Sequence, residues 1–332
     1  MVRIAVLDDY AENASDLADW GSIPGAEITY FKEHVSEPDA LVAMLQGFDV
    51  VQMMRERTPF PALVVDRLPD LKLLSGTGGR HPHVDMEACT RLGIPVTNTR
   101  GSSGVGPGGP TMELAWGLII GLMRHIPWEN SQMRNGNWQT RMGTSMGGKT
   151  LGIMGLGSIG VPMSTIANVF GMNVIAWSRS LTAERAEAAG ATYVSWDELF
   201  AESDVLTIHV PLSDESRGWV GARELGLMKA TAYLINTSRG PIVQTDALVA
   251  ALRANTIAGA AVDVYDEEPI APDHPLLALD NVVLTPHLGY ASVEGLRNFY
   301  QGAVENICGW VAGELSEGFV ANKDVLGSER KP

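Results

Sequence analysis

KTLGIMGLGSIGVPMSTIANVFGMNVIAWSRS, residues 149–180, is the stretch that decides the fold. An apolar strand leads into a turn with Gly155, Gly157 and Gly160 in GxGxxG spacing, and an amphipathic helix and a second strand follow. Gly155 permits the tight turn, Gly157 lets the backbone approach a pyrophosphate, and Gly160 lets the helix pack closely on the strand. The N-terminus of the helix offers free N–H groups and a positive dipole end to the anion. The stretch therefore predicts a βαβ unit that binds a dinucleotide.

The residues after the second strand of this unit bear on which dinucleotide is bound. An acid there would hydrogen-bond the ribose 2′-hydroxyl of NAD and repel a 2′-phosphate. This chain instead has Ser178, Arg179 and Ser180, and a guanidinium pairs well with phosphate. We therefore predict that NADP is preferred. NAD is the alternative, in which Arg179 is only a solvent-facing charge.

Outward from this unit, short apolar strands alternate with helical patterns along most of the chain. Residues 1–100 form one such series, and a second series begins at Lys149. Alternating strands and helices imply parallel sheets with helices on both faces. The Gly-, Pro- and Ser-rich stretch 99–110 separates the two series, and we expect a domain crossing there. The apolar helix predicted over 112–126 should be buried between domains or subunits.

The composition excludes several other classes of protein. The 332 residues suggest about two domains, and the formal net charge of −15 argues against a general nucleic-acid binder. Cys89 and Cys308 lie far apart, which argues against a disulfide framework and fits a reducing cytoplasm. The N-terminus has no signal-peptide pattern, and the longest apolar stretch, 112–123, is too short to span a membrane.

Three later motifs accompany the glycine loop GLGSIG (155–160). They are LINTSRGPIV (234–243), GAAVDVYDEEP (259–269) and VLTPHLGYAS (283–292). With these four motifs in order, the chain resembles the D-isomer-specific 2-hydroxyacid dehydrogenases over nearly its whole length. That family includes glyoxylate and hydroxypyruvate reductases, D-lactate dehydrogenases, phosphoglycerate dehydrogenases and formate dehydrogenases.

The resemblance implies an α/β fold of two doubly wound parallel-sheet lobes, with a Rossmann cofactor domain inserted into a flavodoxin-like substrate domain. Residues 1–100 and 290–332 would form the discontinuous substrate-binding domain, and residues 101–289 the dinucleotide-binding domain. Members are usually homodimers through the cofactor domain, partly by the helix that matches 112–126. Trp138 matches an aromatic that reaches a neighbouring subunit's site in reductase-type members, and ordinary packing explains it equally well.

The family's catalytic side chains fall on Arg239, Glu268 and His287, in motifs of the form NTxRG, DVxxxEP and PHxG. A 2-oxo acid presents a carboxylate beside a ketone, and Arg239 would hold both and polarise the carbonyl. Hydride transfer leaves alkoxide charge on the oxygen, and His287 suits the role of proton donor because imidazole titrates near neutrality. Glu268 beside it would favour the imidazolium.

The resemblance also assigns the contacts with the cofactor. Asp263 would contact the nicotinamide carboxamide, with capping of the following loop as its alternative role, and Pro211 belongs to the loop that passes the adenine. The expected cofactor-binding residues are Gly155, Leu156, Gly157, Ser158, Ile159, Gly160, Ser178, Arg179, Val210, Pro211, Thr237, Asp263 and Gly289.

The substrate-binding residues implied for the first hundred residues are Arg55, Gly78 and Gly79, in addition to Arg239. SGTGGR (75–80) matches a loop whose backbone N–H groups hold the substrate carboxylate. Glu56 stands where the family usually has Ser or Thr. An acid at that position would discourage a second anionic group on the substrate.

Other functions stay open at this point. HPHVD (81–85) superficially suggests a metal site, but Pro82 and the lack of further ligands nearby argue against one, and we expect no metal. Formate enzymes of the family carry Gln in place of Glu268, which argues against formate, whereas phosphite oxidation is an alternative. A corepressor-like protein that senses NAD(P) is another, because such corepressors keep the same three side chains. We expect reduction of a small 2-oxo acid that the motifs do not name, a cytoplasmic location, and neither nucleic acid nor membrane as partner.

Overall fold

The computed structural model describes residues 1–99 and 106–330. The chain divides into two compact units, which we call unit 1 (Met1–Ser103 with Ser292–Pro332) and unit 2 (Gly104–Ala291). Residues 100–105, in the stretch where we predicted a domain crossing, lie outside the described residues.

The described part of unit 1 contains five parallel strands. They are β1 Val2–Val6, β2 Ala26–Tyr30, β3 Val50–Met53, β4 Leu73–Gly76 and β5 Val96–Thr97. The order in the sheet is β2-β1-β3-β4-β5, so the direction of winding reverses between β1 and β3. In doubly wound sheets, ligands bind outside the carboxyl ends of the strands at such a reversal.

Four short helices connect these strands. They are α1 Ala14–Leu17, α2 Pro38–Leu45, α3 Ala62–Val65 and α4 Met86–Arg91. Side-chain caps start two of them, because Glu37 accepts a hydrogen bond from the N–H of Ala40 and Asp85 accepts one from the N–H of Ala88. The core of this unit is formed by buried residues such as Phe60 and Leu74.

Unit 2 contains seven parallel strands. They are β6 Thr150–Met154, β7 Asn173–Trp177, β8 Thr192–Tyr193, β9 Val205–Ile208, β10 Tyr233–Asn236, β11 Gly259–Val262 and β12 Val282–Leu284. The order is β12-β11-β10-β9-β6-β7-β8, and the winding reverses between β6 and β9. The glycine loop follows β6, so it opens at the reversal point of this sheet.

The helices of unit 2 cover both faces of its sheet, over two separate apolar clusters. They are α5 Gly109–Met123, α6 Ile126–Arg134, α7 Gly160–Val169, α8 Ala183–Ala188, α9 Trp196–Glu202, α10 Ala222–Leu227 and α11 Thr245–Arg253. The nearly all-apolar α5 packs on β10, β11, β12 and α7, which explains why Ala115 and Ile119 are fully buried.

The chain then returns to unit 1 through α12 Val293–Val311, which buries Phe299, Tyr300 and Ile307 against α1 and β4. Beyond it, Val320 pairs with Thr97 on the edge strand β5. The Asn322 side chain accepts from the N–H of Val96 and donates to Ile94 and Thr90. This segment covers a strand edge that would otherwise present unpaired backbone groups.

The predicted fold class, two doubly wound parallel-sheet lobes, is confirmed. The strands predicted from apolar runs are present, and β8 is an additional strand of two residues. The helix predicted over 112–126 begins earlier, at Gly109, because Pro110 fits the first turn of a helix. It also ends earlier, at Met123, because His125 has a φ of +54° and a separate helix begins at Ile126. Within the described residues, no helix has the length and apolar character needed to cross a membrane.

Candidate active site

The glycine loop after β6 is packed too closely for larger residues. Gly155 has a φ of +101°, and a Cβ there would stand 2.7 Å from the carbonyl oxygen of His209. A Cβ on Gly160 would collide with the carbonyl oxygen of Gly155. Both glycines are therefore required by the turn and by the packing of α7 on β6.

The other side of this loop is open. A Cβ on Gly157 would meet no atom within 4 Å. In the described part of the chain, the N–H groups of Gly157, Ser158 and Ile159 donate to no acceptor, and α7 begins at the next residue. Free donors at a helix N-terminus with space in front of them fit a pyrophosphate. The loop as built can therefore hold the phosphates of a dinucleotide.

The end of β7 carries the two residues expected beside the adenosine ribose. The Ser178 side chain is half-buried, and 56% of the Arg179 side chain is exposed. Arg179 forms an ion pair with Glu215, which lies in the loop after β9. Its guanidinium also lies 5.8 Å from the centre of the Trp219 ring.

The loops after β9 and β10 are joined beside the glycine loop. The Ser238 hydroxyl donates to the carbonyl of Val210, and the Ser216 hydroxyl donates to the carbonyl of Pro211 at 2.9 Å. The hydroxyl of Thr237 is buried and has no hydrogen-bond partner in the described residues. Val210, Pro211 and Thr237 thus lie in adjoining loops at the carboxyl edge of this sheet.

The Arg239 loop is fixed by its own side chains and by a close backbone contact. The Asn236 side chain accepts from the N–H of Ser238 at 3.1 Å and donates to the carbonyl of Arg239 at 3.0 Å. A Cβ on Gly240 would collide with the carbonyl of Tyr265. The loop that carries Arg239 therefore packs directly on the loop that carries Glu268.

Glu268 and His287 form the central contact of the site. The Glu268 Oε2 lies 2.5 Å from the Nδ1 of His287, and the two side chains are 26% and 18% exposed. The N–H of Tyr265 donates to the Glu268 Oε1 at 2.9 Å. Since a carboxylate accepts, His287 donates through Nδ1, which leaves Nε2 for a substrate. The sequence-predicted acid and histidine are brought together.

Asp263 organises the backbone that carries His287. It is fully buried, and its carboxylate accepts from the hydroxyl of Thr285 at 2.6 Å and from the N–H groups of Leu288 and Gly289 at 2.7 and 2.9 Å. His287 itself has a φ of +53°, which these bonds hold in place. Burial raises the pKa of the Asp263 carboxyl group. These hydrogen bonds fit a loop-capping role for Asp263, and its contact with a nicotinamide carboxamide stays a prediction.

Arg55 lies at the carboxyl edge of the unit 1 sheet. Its backbone has a φ of +55°, and its N–H donates to the hydroxyl of Thr77 at 2.7 Å. The guanidinium covers Gly78, where a Cβ would overlap it, and approaches Glu56 at 3.7 Å. Gly78 therefore makes room for Arg55, and Arg55 and Glu56 partly neutralise each other.

The two glycines expected to bind a carboxylate differ in their contacts. The N–H of Gly78 donates to the hydroxyl of Thr99 at 2.9 Å. The N–H of Gly79 donates to no acceptor in the described residues, and the space beside its Cα is open. The N–H of Gly79 is therefore the more available donor.

A buried polar cluster next to Arg55 was missed by the sequence analysis. Asp8 is 2% exposed and has a φ of +58°. Its carboxylate accepts from the hydroxyl of Thr58 at 2.7 Å and contacts His34 at 2.9 Å. Arg57 donates to its carbonyl at 2.6 Å and lies 4.4 Å from the Tyr10 ring. The signal in the sequence is an acid two residues after β1, and its partners are distant along the chain.

His81 of HPHVD is buried, His83 is partly buried, and the two rings meet edge-on. The rings of His81 and His83 lie 5.8 Å apart, and His81 Nε2 lies 2.8 Å from the side-chain oxygen of Asn98. Burial lowers the pKa of His81, and burial lowers the pKa of His83 to about 4. Across residues 1–99 and 106–330, no cluster of three or more His, Cys, Asp or Glu side chains could hold a metal ion.

Trp138 lies on an exposed arm that folds back on α6. Glu129 accepts from the N–H groups of Thr140 and Arg141, and the Arg141 guanidinium lies 3.5 Å from the centre of the Trp128 ring. These contacts leave 74% of Trp138 exposed. The arm thus presents an ordered apolar surface to its surroundings.

Residues 116–289 match the family model of the D-isomer specific 2-hydroxyacid dehydrogenase NAD binding domain. The chain belongs to the D-isomer-specific 2-hydroxyacid dehydrogenases. A glyoxylate reductase of Aeropyrum pernix is 40% identical over 289 residues, which are 82% of this chain and 85% of that protein. A glyoxylate reductase of Thermococcus litoralis is 37% identical over 305 residues, 89% and 87% of the two chains. The chain is therefore an oxidoreductase of this family.

The crystal structure of a phosphoglycerate oxidoreductase from Vibrio cholerae o395 has the same fold. It superposes with a TM-score of 0.89 at 36% identity and covers 94% of this chain and 100% of that chain. The glycine loop after β6 lies within residues 116–289, which match the family model of the NAD binding domain.

Proposed function

We propose that the protein reduces a small, unphosphorylated 2-oxo acid with a nicotinamide cofactor, and that a chiral product is the D-2-hydroxy acid. The observation that carries this proposal is the 2.5 Å contact between His287 Nδ1 and Glu268. A histidine held by a carboxylate through one nitrogen is poised to donate a proton from the other. The glyoxylate reductases among the relatives support the same substrate class.

In this proposal, Arg239 and His287 act on the substrate, and Glu268 acts on His287. Arg239 binds the carboxylate and polarises the neighbouring carbonyl, for which a guanidinium has the right charge and fork geometry. The nicotinamide, when bound, supplies the hydride. His287 donates the proton from Nε2 to the oxygen that becomes negative, and Glu268 stabilises the imidazolium before the transfer. Asp263 keeps the histidine backbone in place, and contact of its carboxylate with the carboxamide is part of this proposal.

NADPH is the proposed cofactor, with NADH as the weaker one. Ser178 and Arg179 follow β7, at the position where an acid would bind the ribose diol of NAD. Charge-assisted hydrogen bonds to phosphate contribute about 1.5–3 kcal/mol, and about 1.4 kcal/mol is tenfold in affinity. A single contact from Arg179 therefore supports a preference of roughly tenfold or more for NADPH.

The unit 1 residues proposed to bind the substrate are Arg55, Gly78 and Gly79. The free N–H of Gly79 supplies a donor for the carboxylate, and Gly78 serves mainly by making room for the Arg55 guanidinium. Glu56 beside Arg55 adds negative charge, which disfavours a phosphorylated substrate.

We also propose a homodimer through unit 2 that works in the cytoplasm. The exposed arm with Trp138 and Met142, which is 95% exposed, supplies apolar surface suited to a second copy. Free Cys89 and Cys308 suit a reducing compartment.

The test is a screen of NADPH and NADH oxidation with glyoxylate, hydroxypyruvate, pyruvate, phenylpyruvate and branched 2-oxo acids. 3-Phosphohydroxypyruvate serves as the phosphorylated comparison. We expect turnover of at least one small unphosphorylated acid and little turnover of the phosphorylated one. Strong activity on 3-phosphohydroxypyruvate alone would contradict the proposed substrate class.

A further inference from the structure

Glu215 contacts Arg179, the side chain that is expected to favour NADPH. It forms an ion pair with Arg179, although the two residues belong to different loops of unit 2. Arg179 follows β7, whereas Glu215 lies between β9 and α10. The chain lacks an acid at the end of β7, and this ion pair places an acid there from another part of the sequence.

The turn that carries Glu215 is well ordered by its neighbours. The N–H of Ser213 donates to the Ser216 hydroxyl at 2.8 Å, and the N–H of Ser216 donates back to the Ser213 hydroxyl at 3.2 Å. Ser216 is 2% exposed and also bonds the carbonyl of Pro211. Glu215 therefore stands on a defined turn, with its side chain 70% exposed.

Three tryptophans join this loop to the end of β7. Trp177, the last residue of β7, lies edge-on to Trp196 at 4.6 Å and to Trp219 at 5.5 Å, and Trp196 and Trp219 are 5.6 Å apart. Such edge-to-face pairs stabilise beyond their buried area. They fix Trp219, four residues after Glu215, relative to the strand end that precedes Arg179.

We propose that Glu215 is a second determinant of cofactor selectivity, which competes with the 2′-phosphate of NADPH for Arg179. This inference rests on the proposed use of a nicotinamide cofactor at the glycine loop. NADPH must displace Glu215 from the guanidinium, whereas NADH, without the 2′-phosphate, leaves the ion pair intact. Glu215 therefore lowers the preference for NADPH that Arg179 alone would give.

Replacing Glu215 with Gln removes the competing charge and keeps the shape of the side chain. We expect E215Q to raise the ratio of NADPH to NADH affinity about two- to fivefold, the range that exposed ion pairs support. R179A should lower the ratio, and E215Q in the R179A background should change it little. D214N is the matched control, because Asp214 is an exposed acid of the same turn and the charge change is identical.

The measurement is the Kd of each cofactor by isothermal titration calorimetry at fixed ionic strength, together with kcat/KM for both cofactors with glyoxylate. A D214N ratio that rises as much as that of E215Q would overturn the proposal, and so would an unchanged E215Q ratio. An E215Q effect that persists undiminished with R179A would also overturn it, because Glu215 would then act without Arg179. A wild-type preference for NADH, or no turnover of the 2-oxo acids, contradicts the proposed function only. The calorimetric ratio still tests Glu215 in that case.

Discussion

The glycine loop of unit 2 and the Asp8 cluster of unit 1 both lie at the carboxyl edges of their sheets. They differ in whether their polar groups have partners within the protein. After β6 in unit 2, the backbone N–H groups of Gly157, Ser158 and Ile159 have no acceptor in the described residues, and a Cβ on Gly157 would meet no atom within 4 Å. After β1 in unit 1, the Asp8 carboxylate is almost fully buried and is satisfied by Thr58 and His34. The glycine loop keeps these donors available, whereas the Asp8 carboxylate is paired within the protein.

This difference separates binding from stability. Backbone donors in a glycine loop are held by the turn itself, so they stay unpaired without unfolding and are ready for an anion. A buried carboxylate, in contrast, needs its partners in the folded state. We therefore expect substitutions in the unit 2 site to affect turnover first, and substitutions in the Asp8 cluster to affect the free energy of unfolding first.

The largest effect should come from His287. H287A should lower kcat about 10²- to 10⁴-fold, the contribution of a positioned proton donor. The cofactor Kd should change little, because the side chain contacts Glu268 rather than the glycine loop. Steady-state kinetics and calorimetry on the same sample check both parts. If H287A lowers the stability enough to explain the lost turnover, the expectation that substitutions in the unit 2 site affect turnover first is contradicted.

The next effect should be the loss of stability on removing the Asp8 carboxylate. D8A leaves His34 and Thr58 without their buried partner, and we expect the free energy of unfolding to fall by about 3 kcal/mol. Urea denaturation measures it. D39A is the control, because Asp39 is an exposed acid of the same unit paired with Arg67, and it should cost less than about 1 kcal/mol. Equal effects of D8A and D39A would mean that the cluster does not stabilise unit 1.

Acid should weaken unit 1 through His83. Burial lowers its pKa from 6.5 to about 4, so the unfolded chain binds this proton more readily than the folded chain. The stability from keeping His83 neutral is complete above about pH 6.5 and is lost as the pH falls toward about 4. Between pH 7 and pH 5 the loss should be about 1–2 kcal/mol. H83N should reduce this slope in urea denaturation, and an unchanged slope would remove His83 from the acid response.

The smallest effect should be a shift in the pH profile when Glu268 loses its charge. Reduction needs protonated His287, and E268Q removes the carboxylate that stabilises the imidazolium. The high-pH limb of reductive kcat should therefore move to lower pH. The pH dependence of kcat with saturating cofactor checks this. A profile identical to that of the wild type would show that Glu268 only orients the histidine.

The sequence was most informative where function depends on local backbone. The glycine loop needs particular residues at fixed spacing, so GLGSIG predicted both its position after a strand and its use by a dinucleotide. Arg239, Glu268 and His287 were predicted from motifs that resemble those of the family, and their catalytic roles stay predictions. Their contacts through Asn236 and Tyr265 required the structure, because they depend on how two loops pack.

The sequence was least informative where distant side chains meet. Asp8 contacts residues 26 and 50 positions away in the chain, and no local periodicity encodes such pairs. Arg179 was predicted from its place after β7, yet its ion pair with Glu215 depends on the tryptophan contacts between two loops. The three hydrogen bonds by which Asp263 holds the following loop likewise became visible only in the structure, and its contact with the nicotinamide carboxamide stays a prediction.

The return of the chain to unit 1 has a consequence for the order of folding during synthesis. Unit 2 is one continuous segment and is complete once Ala291 has left the ribosome. Unit 1 then still lacks α12 and the Asn322 contacts that cover β5. The first hundred residues must wait with an uncovered strand edge while the middle of the protein folds, and exposed edges of this kind favour aggregation. We therefore expect the time needed to synthesise residues 292–322 to set how long this strand edge stays uncovered.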